Sequence, residues 1–227
     1  MTAGVESIFL RLQNCNLRCG ADGNGWLCDT WYTWDQTKPE FWKETVNAPV
    51  HEVADRIIDV WQERFGDTVR TPNLVISGGE PLMQQPKIVE LLSHLPSWTF
   101  EIKTNGTYAP VDELQQCQIN CSPKLASSGN SLRARFRPEV LQKIATFPKH
   151  WFKFVITDSN FDEDVSEVAS MVDTVGIDPT RVLMMCEGND VASLTEHFPR
   201  VVSAAELLGF TAVQRMHVFW FGNKRAS

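Results

Sequence analysis

The sequence predicts an α/β chain folded as an open, partial parallel β/α barrel of six to seven strands. Three observations predict it. Short apolar runs of strand length alternate with longer stretches whose apolar residues recur at helical spacing, and no linker or low-complexity segment interrupts them. Strands alternating with helices imply βαβ units, parallel pairing and right-handed crossovers. The strand count stops short of the eight that close a barrel of this kind. At 227 residues and 43% hydrophobic, the chain can bury one sizeable core, so one domain over residues 1–227 is expected.

The elements come in this order. Ser7-Ile-Phe-Leu-Arg-Leu12 reads as the first strand. From Val50 to Phe65, apolar Val53, Ile57, Ile58, Trp61 and Phe65 line one face of a helix. Asn73-Leu-Val-Ile-Ser77 is a continuous apolar run suited to a strand buried on both faces. Further strands are expected at Trp98–Thr104, Gln116–Ser122, Trp151–Thr157, Arg181–Cys186 and Ala212–Phe221. Helical patterns near Lys87–Leu95, Pro138–Phe147, Glu163–Val172 and Val191–Leu208 fill most gaps between them.

Composition excludes several functions. A formal charge of -7 and a pI near 5.3 argue against an extended phosphate-binding surface and hence against a direct nucleic-acid partner. No apolar stretch approaches the roughly 20 residues that span a bilayer, and no basic flank precedes an apolar run at the N-terminus. The expectation is a soluble, cytoplasmic protein with a small-molecule substrate. Six cysteines are too few for a disulfide scaffold, and in a reducing compartment a tight cluster of them points to metal or catalysis. Cys117, Cys121 and Cys186 sit in or beside apolar runs and read as buried small hydrophobes.

The segments just past the strands carry the chemistry. In chain order come a cysteine loop, Gly78-Gly-Glu-Pro81, Asn105-Gly-Thr107, Pro123-Lys124, Asp158 and Glu187-Gly188. Parallel α/β architectures bind ligands at the carboxyl ends of their strands, so these segments should converge. In the first of them, Cys15, Cys19 and Cys28 provide three thiols. Three cannot complete a structural zinc site, and the nearest histidine, His51, lies on a helix beyond an aromatic stretch. In a [4Fe-4S] cluster, which takes one cysteine per iron, three leave one iron open.

Phe9-Leu-Arg-Leu12, Cys15-Asn-Leu-Arg-Cys19, Leu27-Cys28-Asp-Thr30 and Gly78-Gly-Glu-Pro81 together resemble the radical S-adenosylmethionine enzymes and, within them, the 7-carboxy-7-deazaguanine synthase family, which makes the deazapurine precursor of queuosine and related bases. Thr104-Asn-Gly-Thr107, Ser122-Pro-Lys124, Lys153-Phe-Val155, Met185-Cys-Glu-Gly188 and the tail from Arg215 to Arg225 match in the same order. The resemblance implies a fold of radical S-adenosylmethionine type in which Cys15, Cys19 and Cys28 hold three irons and S-adenosylmethionine chelates the fourth. Gly78, Gly79 and Glu80 would line its methionyl end, and Asn105, Thr107 and Ser122 would contact its nucleoside. Thr30 would ligate a magnesium ion supported by Asp29, oxygen being the ligand such a hard cation prefers. Arg11 would pair with the substrate carboxylate, a task for a planar bidentate donor. Arg215 and His217, placed on one strand face by period two, would also face the substrate. The implied reaction converts 6-carboxy-5,6,7,8-tetrahydropterin into 7-carboxy-7-deazaguanine with loss of ammonia, through a 5′-deoxyadenosyl radical that abstracts hydrogen from the pterin. A homodimer and a reductant such as flavodoxin or ferredoxin come with the resemblance.

Four departures stand out. Eight residues, Gly20 to Leu27, separate the second and third cysteines, where three glycines let the excess fold aside. Leu27 replaces the aromatic that usually precedes the third cysteine, leaving Trp26 one place earlier. Met1–Glu6 has no glutamine-glycine-glutamate-glycine stretch. Lys103 stands where the family has glutamate, which reverses donor and acceptor at that point. Trp31, Tyr32 and Trp34 read as packing beside the loop. The competing readings are a small radical enzyme that activates a glycine of a partner protein, and a non-catalytic iron–sulfur or zinc protein.

Overall fold

The computed structural model describes residues 4–21, 23, 25–66 and 70–222. Seven strands lie side by side in chain order, and each neighbouring pair is parallel: β1 (Ile8–Leu12), β2 (Asn73–Gly78), β3 (Thr99–Thr104), β4 (Gln118–Cys121), β5 (His150–Ile156), β6 (Val182–Cys186) and β7 (Thr211–Val213). The two outermost strands each pair on one side only, so the barrel stays open as expected.

Helices α1 (Pro39–Glu44) and α2 (Val50–Phe65) connect β1 to β2, and α3 (Gln85–His94) connects β2 to β3. Between β4 and β5 come α4 (Leu132–Arg135) and α5 (Pro138–Ala145), after which α6 (Phe161–Val175) and α7 (Val191–Leu208) link β5 to β6 and β6 to β7. The apolar stripe of α2 that is fully buried is Val50, Ala54, Ile57 and Trp61, at alternating spacings of four and three. Such helix stripes pack on one face of the sheet, against Leu74, Ile76, Ile102, Ile119, Phe152, Phe154 and Met184. Removing each such side chain from water stabilises the fold by about 1.5–3 kcal/mol. Cys117, Cys121 and Cys186 belong to this core, as the sequence suggests, and burial pushes Cys117 up to about 12 and Cys186 up to about 11.

The chain after β7 departs from expectation. Ala212–Phe221 is not one strand: β7 stops at Val213, and Met216–Phe221 forms a short helix, α8. Among the described residues no further strand lies beyond β7 to pair with a longer run, so the backbone satisfies itself through Val218 N–H to Arg215 O at 2.9 Å and Gly222 N–H to Val218 O at 2.9 Å. Arg215 therefore caps a helix and His217 lies within it, and the two do not share a strand face. The tail match at residues 223–225 lies outside the described residues, as do Met1–Ala3 of the opening segment.

Alternation puts every second residue on the opposite, concave face. Arg11 is level with Ser77, and Lys103 with Asn120 and then Trp151, so a row of polar and aromatic side chains crosses the hollow of the sheet. Among the described residues no helix is long and apolar enough to cross a membrane.

Candidate active site

The loop that leaves β1 carries the three thiols, and a glycine fixes its path. At Gly79 a Cβ would meet the carbonyl oxygen of Asn14 at 2.1 Å and the Cβ of Cys15 at 2.9 Å, so only glycine lets the two backbones pass. Gly79 N–H donates to Leu12 O at 3.0 Å and Glu80 N–H to Asn14 O at 2.8 Å, stitching the loop to the end of β2. The eight-residue stretch between the second and third cysteines closes at its neck, where Cys28 N–H donates to Cys19 O at 3.4 Å. Gly20 N–H and Trp26 N–H donate to Ser128 O and Ser127 O, each at 3.2 Å, which lays the excess against the loop after β4. Asp22 and Asn24 within it lie outside the described residues.

Each sulfur has a polar neighbour. Leu17 N–H donates to Cys15 Sγ at 3.5 Å, Asn130 Nδ2 donates to Cys19 Sγ at 3.3 Å, and Cys28 Sγ lies 3.5 Å from Thr30 Oγ1. Burial pushes the Cys15 thiol up to about 11, with Glu80 and the other two thiols adding to it, and raises Cys19 against the pull of Lys124. The thiols thus act on one another, yet among the described residues no three His, Cys, Asp or Glu side chains could share one metal ion. Thiolates that each bind their own iron are held farther apart than ligands of one ion, so the set suits a multi-iron cluster.

Around this loop the strand ends converge. Glu80 is fully buried, and its carboxylate accepts from Leu82 N–H at 3.0 Å, Thr104 Oγ1 at 2.7 Å and Asn105 N–H at 2.6 Å. Burial raises its pKa, and these donors hold the rise back. Asn105 Nδ2 in turn donates to Asn16 Oδ1 at 3.0 Å and reaches Cys15 Sγ at 3.8 Å, while Thr107 donates to Asn105 Oδ1 at 2.6 Å. Ser122 N–H donates to Thr104 O at 2.8 Å, and Lys124 donates back to the Ser122 carbonyl at 2.8 Å while lying over the Trp26 ring at 5.9 Å. Tyr32 and Trp34 are buried, in keeping with packing.

The concave face is cationic. Arg11 projects into it, 6.0 Å from the Tyr32 ring centre. Arg215 donates to Gly188 O at 2.7 Å and pairs with Asp29, tying α8 to the cysteine loop and to the end of β6. His217 is close enough for Arg215, Lys103 and Lys153 to add to the effect of its burial and lower its pKa. Lys153 is depressed to about 7, chiefly by burial and then by Lys103.

A cleft of about 600 Å³ opens beyond the ends of β5 and β6, lined by Trp26, Ser127, Asp158, Glu187, Asp190 and His197 among others. Trp26 Nε1 and Ser127 Oγ are buried without a hydrogen-bond partner among the described residues. Orphaned polar groups of this kind are satisfied by a ligand or by water.

Sequence reasoning missed two residues here. Asn130 lies 111 positions from Cys19, and no local pattern marks it. Arg135 is buried and holds the loop after β4 through Lys124 O at 3.0 Å, Asn130 O at 3.1 Å and Glu167 at 2.5 Å. Lys153 carries a signal, a charge inside a strand of apolar residues, that does not by itself specify a role.

Three thiols on the first loop of an open parallel β/α sheet, beside a glycine-tight second strand end, define the framework of a radical S-adenosylmethionine enzyme. The chain is 32% identical over 226 residues to 7-carboxy-7-deazaguanine synthase of Pyrobaculum aerophilum, covering 98% of this chain and 89% of that one. It is 29% identical to the enzymes of that name from Rhodopirellula baltica, with 99% and 82% covered, and Halobacterium salinarum, with 95% and 83% covered. The crystal structure of QueE from Escherichia coli superposes with a TM-score of 0.61 at 18% identity, covering 93% of this chain and 86% of that one, which establishes the shared fold. No protein-family model matches the chain. The chain belongs to the 7-carboxy-7-deazaguanine synthase family. It is an enzyme of that family, with the [4Fe-4S] cluster, S-adenosylmethionine and magnesium of that class as its cofactors, and it acts on a small molecule. The glycyl-radical and non-catalytic alternatives are not favoured.

Proposed function

We propose that this chain converts 6-carboxy-5,6,7,8-tetrahydropterin into 7-carboxy-7-deazaguanine with loss of ammonia, on the concave face of its sheet. The observation that carries the proposal is the placement of three partnered thiols at the rim of a hollow lined with cations. In this reading Cys15, Cys19 and Cys28 hold three irons of the cluster, and the hydrogen bonds to their sulfurs fix their directions. When bound, the cluster and S-adenosylmethionine supply one-electron chemistry for abstracting hydrogen, and magnesium supplies a hard Lewis acid.

The chain's own residues bind, orient and exclude water around that chemistry. Gly78 and Gly79 let backbone approach the methionyl end, and Glu80 shapes it from beneath by fixing Asn105. Asn105, Thr107 and Ser122 bound the nucleoside on the side of β3 and β4. Trp26 and Ser127 line the cleft at β5 and β6 beside it. Thr30 is the magnesium ligand. Arg11 takes the substrate carboxylate, and Arg215, held by Asp29 and Gly188, closes the hollow with His217. One radical S-adenosylmethionine domain over residues 1–227, a homodimer, reduction by flavodoxin or ferredoxin and a cytoplasmic location complete the proposal. Support for the last is the need of an open iron–sulfur site for a reducing compartment.

The test is anaerobic reconstitution and then addition of S-adenosylmethionine, dithionite, Mg²⁺ and 6-carboxytetrahydropterin, with both products read by mass spectrometry. 5′-Deoxyadenosine together with 7-carboxy-7-deazaguanine is the expected outcome. Deoxyadenosine alone overturns the substrate, and neither product from protein with a verified four-iron cluster overturns the catalytic reading.

A further inference from the structure

The concave face holds more positive charge than its own residues neutralise. Lys103 is level with Asn120 on β4, and Lys153 lies two residues beyond the β5 position level with Asn120, so both side chains project into the hollow. They lie close enough that Lys103 is the largest influence on Lys153 after burial itself. Among the described residues neither makes a hydrogen bond or an ion pair, and Lys103 lies over the Phe9 ring, 5.8 Å from its centroid.

Two carboxylates attract them, Glu101 acting on Lys103 and Asp29 on Lys153, but neither forms an ion pair with its lysine. Glu101, two residues before Lys103 on the same strand face, accepts from the side-chain amides of Asn73 at 3.1 Å, Gln118 at 3.3 Å and Asn120 at 2.8 Å. Asp29 is paired with Arg215. Arg11 repels Lys103 and Lys103 repels Lys153, so the cations are crowded and not paired. Two like charges among partly desolvated surroundings repel, and a ligand's own charge is what offsets that repulsion. Phe9, 59% exposed and on the same face as Arg11, adds a bare aromatic surface beside Lys103 that a flat ring can cover.

We propose that Lys103 and Lys153 form a second anion subsite, which takes a second carboxylate or a phosphate on a flat heteroaromatic ligand whose first carboxylate lies at Arg11. The subsite rests on the reading that this hollow holds the pterin, and it extends the ligand class from one anionic group to two.

The experiment titrates the holoenzyme, loaded with cluster and S-adenosylmethionine, by anaerobic calorimetry with pterin-6-carboxylate and with pterin-6,7-dicarboxylate. The dicarboxylate is expected to bind about tenfold more tightly, and the double variant K103M/K153M to lose that advantage while weakening the monocarboxylate by no more than about threefold, as expected for charge-assisted contacts to one added group. K103Q/K153Q repeats the comparison if the methionine pair disturbs cluster loading. Inorganic phosphate that erodes the dicarboxylate's advantage in the wild type alone shows a subsite that free anions also fill, and phosphate without effect shows one reserved for ligand-borne charge; either supports the proposal. Equal loss of both ligands in the variants, or no preference in the wild type, overturns it. Turnover of 6-carboxytetrahydropterin by the same preparation reports separately on the proposed reaction.

Discussion

Replacing Lys153 by methionine is expected to stabilise the ligand-free protein, and to do so more at neutral than at alkaline pH. Lys153 is half-buried on β5, and its pKa falls from the ordinary lysine value near 10.5 to about 7. Burial is the main cause; Lys103, Lys124 and Arg215 repel the charge, and Asp29 opposes them. Above pH 10.5 neither the folded nor the unfolded chain carries this proton, and below about 7 both do. In between, the unfolded chain binds it and the folded one does not, so this lysine's cost to stability shrinks as pH rises through that window. At about 1.4 kcal/mol per tenfold, the drop sets a ceiling of about 5 kcal/mol. Water reaches the open concave face, and screening there reduces the figure to about 2 kcal/mol. Methionine keeps the length and carries no charge. Urea titrations in anaerobic reducing buffer, monitored by circular dichroism, would show the variant ahead of wild type at pH 6.5 and the gap narrowing by about 2 kcal/mol at pH 9.5. A gap that stays constant between the two pH values would refute the placement of Lys153 in a desolvated cationic cluster.

Gly79→Ala should destabilise the chain by about 1–3 kcal/mol, because the added carbon meets fixed backbone and cannot swing away. Iron content per chain should drop with the melting temperature, and full iron loading at an unchanged melting temperature would contradict the close approach. Asn130→Ala removes the N–H that donates to Cys19 Sγ at 3.3 Å, so the reduced cluster loses a stabilising contact and its reduction potential should fall. A redox titration monitored by electron paramagnetic resonance measures this, with Asn105→Ala, whose donor is at 3.8 Å, expected to shift the potential less. An upward shift for Asn130→Ala would rule out the role.

Much of the fold is legible in the sequence because the sheet is parallel and buried on its helix-covered face, which leaves apolar runs such as Asn73–Ser77 plain to see. The end of the chain is not legible, for a definite reason. Met216-His-Val-Phe-Trp-Phe221 is dense in aromatics and alternates in a way that fits a strand, and what decides its conformation is whether a neighbouring strand exists to pair with it. No local pattern carries that information. The thiols are legible as a group of three, and so are the segments at the strand ends. Their mutual support is not. The carboxylate of Glu80 spends its hydrogen bonds on Leu82, Thr104 and Asn105, and Asn130 reaches Cys19 across more than a hundred residues, so both are roles that only the folded chain confers.

Charge shows the same division between what a total and what a position can say. A net charge of -7 argues against an extended basic surface, yet the hollow of the sheet collects Arg11, Lys103, Lys153 and Arg215. The acidic residues balance these cations in the sum and not in space, because at physiological salt an exposed carboxylate more than about 8 Å away is largely screened. Inside the hollow the screening is weaker and the uncompensated charges act at short range. An anionic substrate therefore meets an acidic exterior from a distance and gains its attraction only on entering. The proposed lysine subsite accordingly depends on the register that sets these side chains on one face, and a one-residue slip of β3 or β5 would turn Lys103 or Lys153 into the core and abolish it.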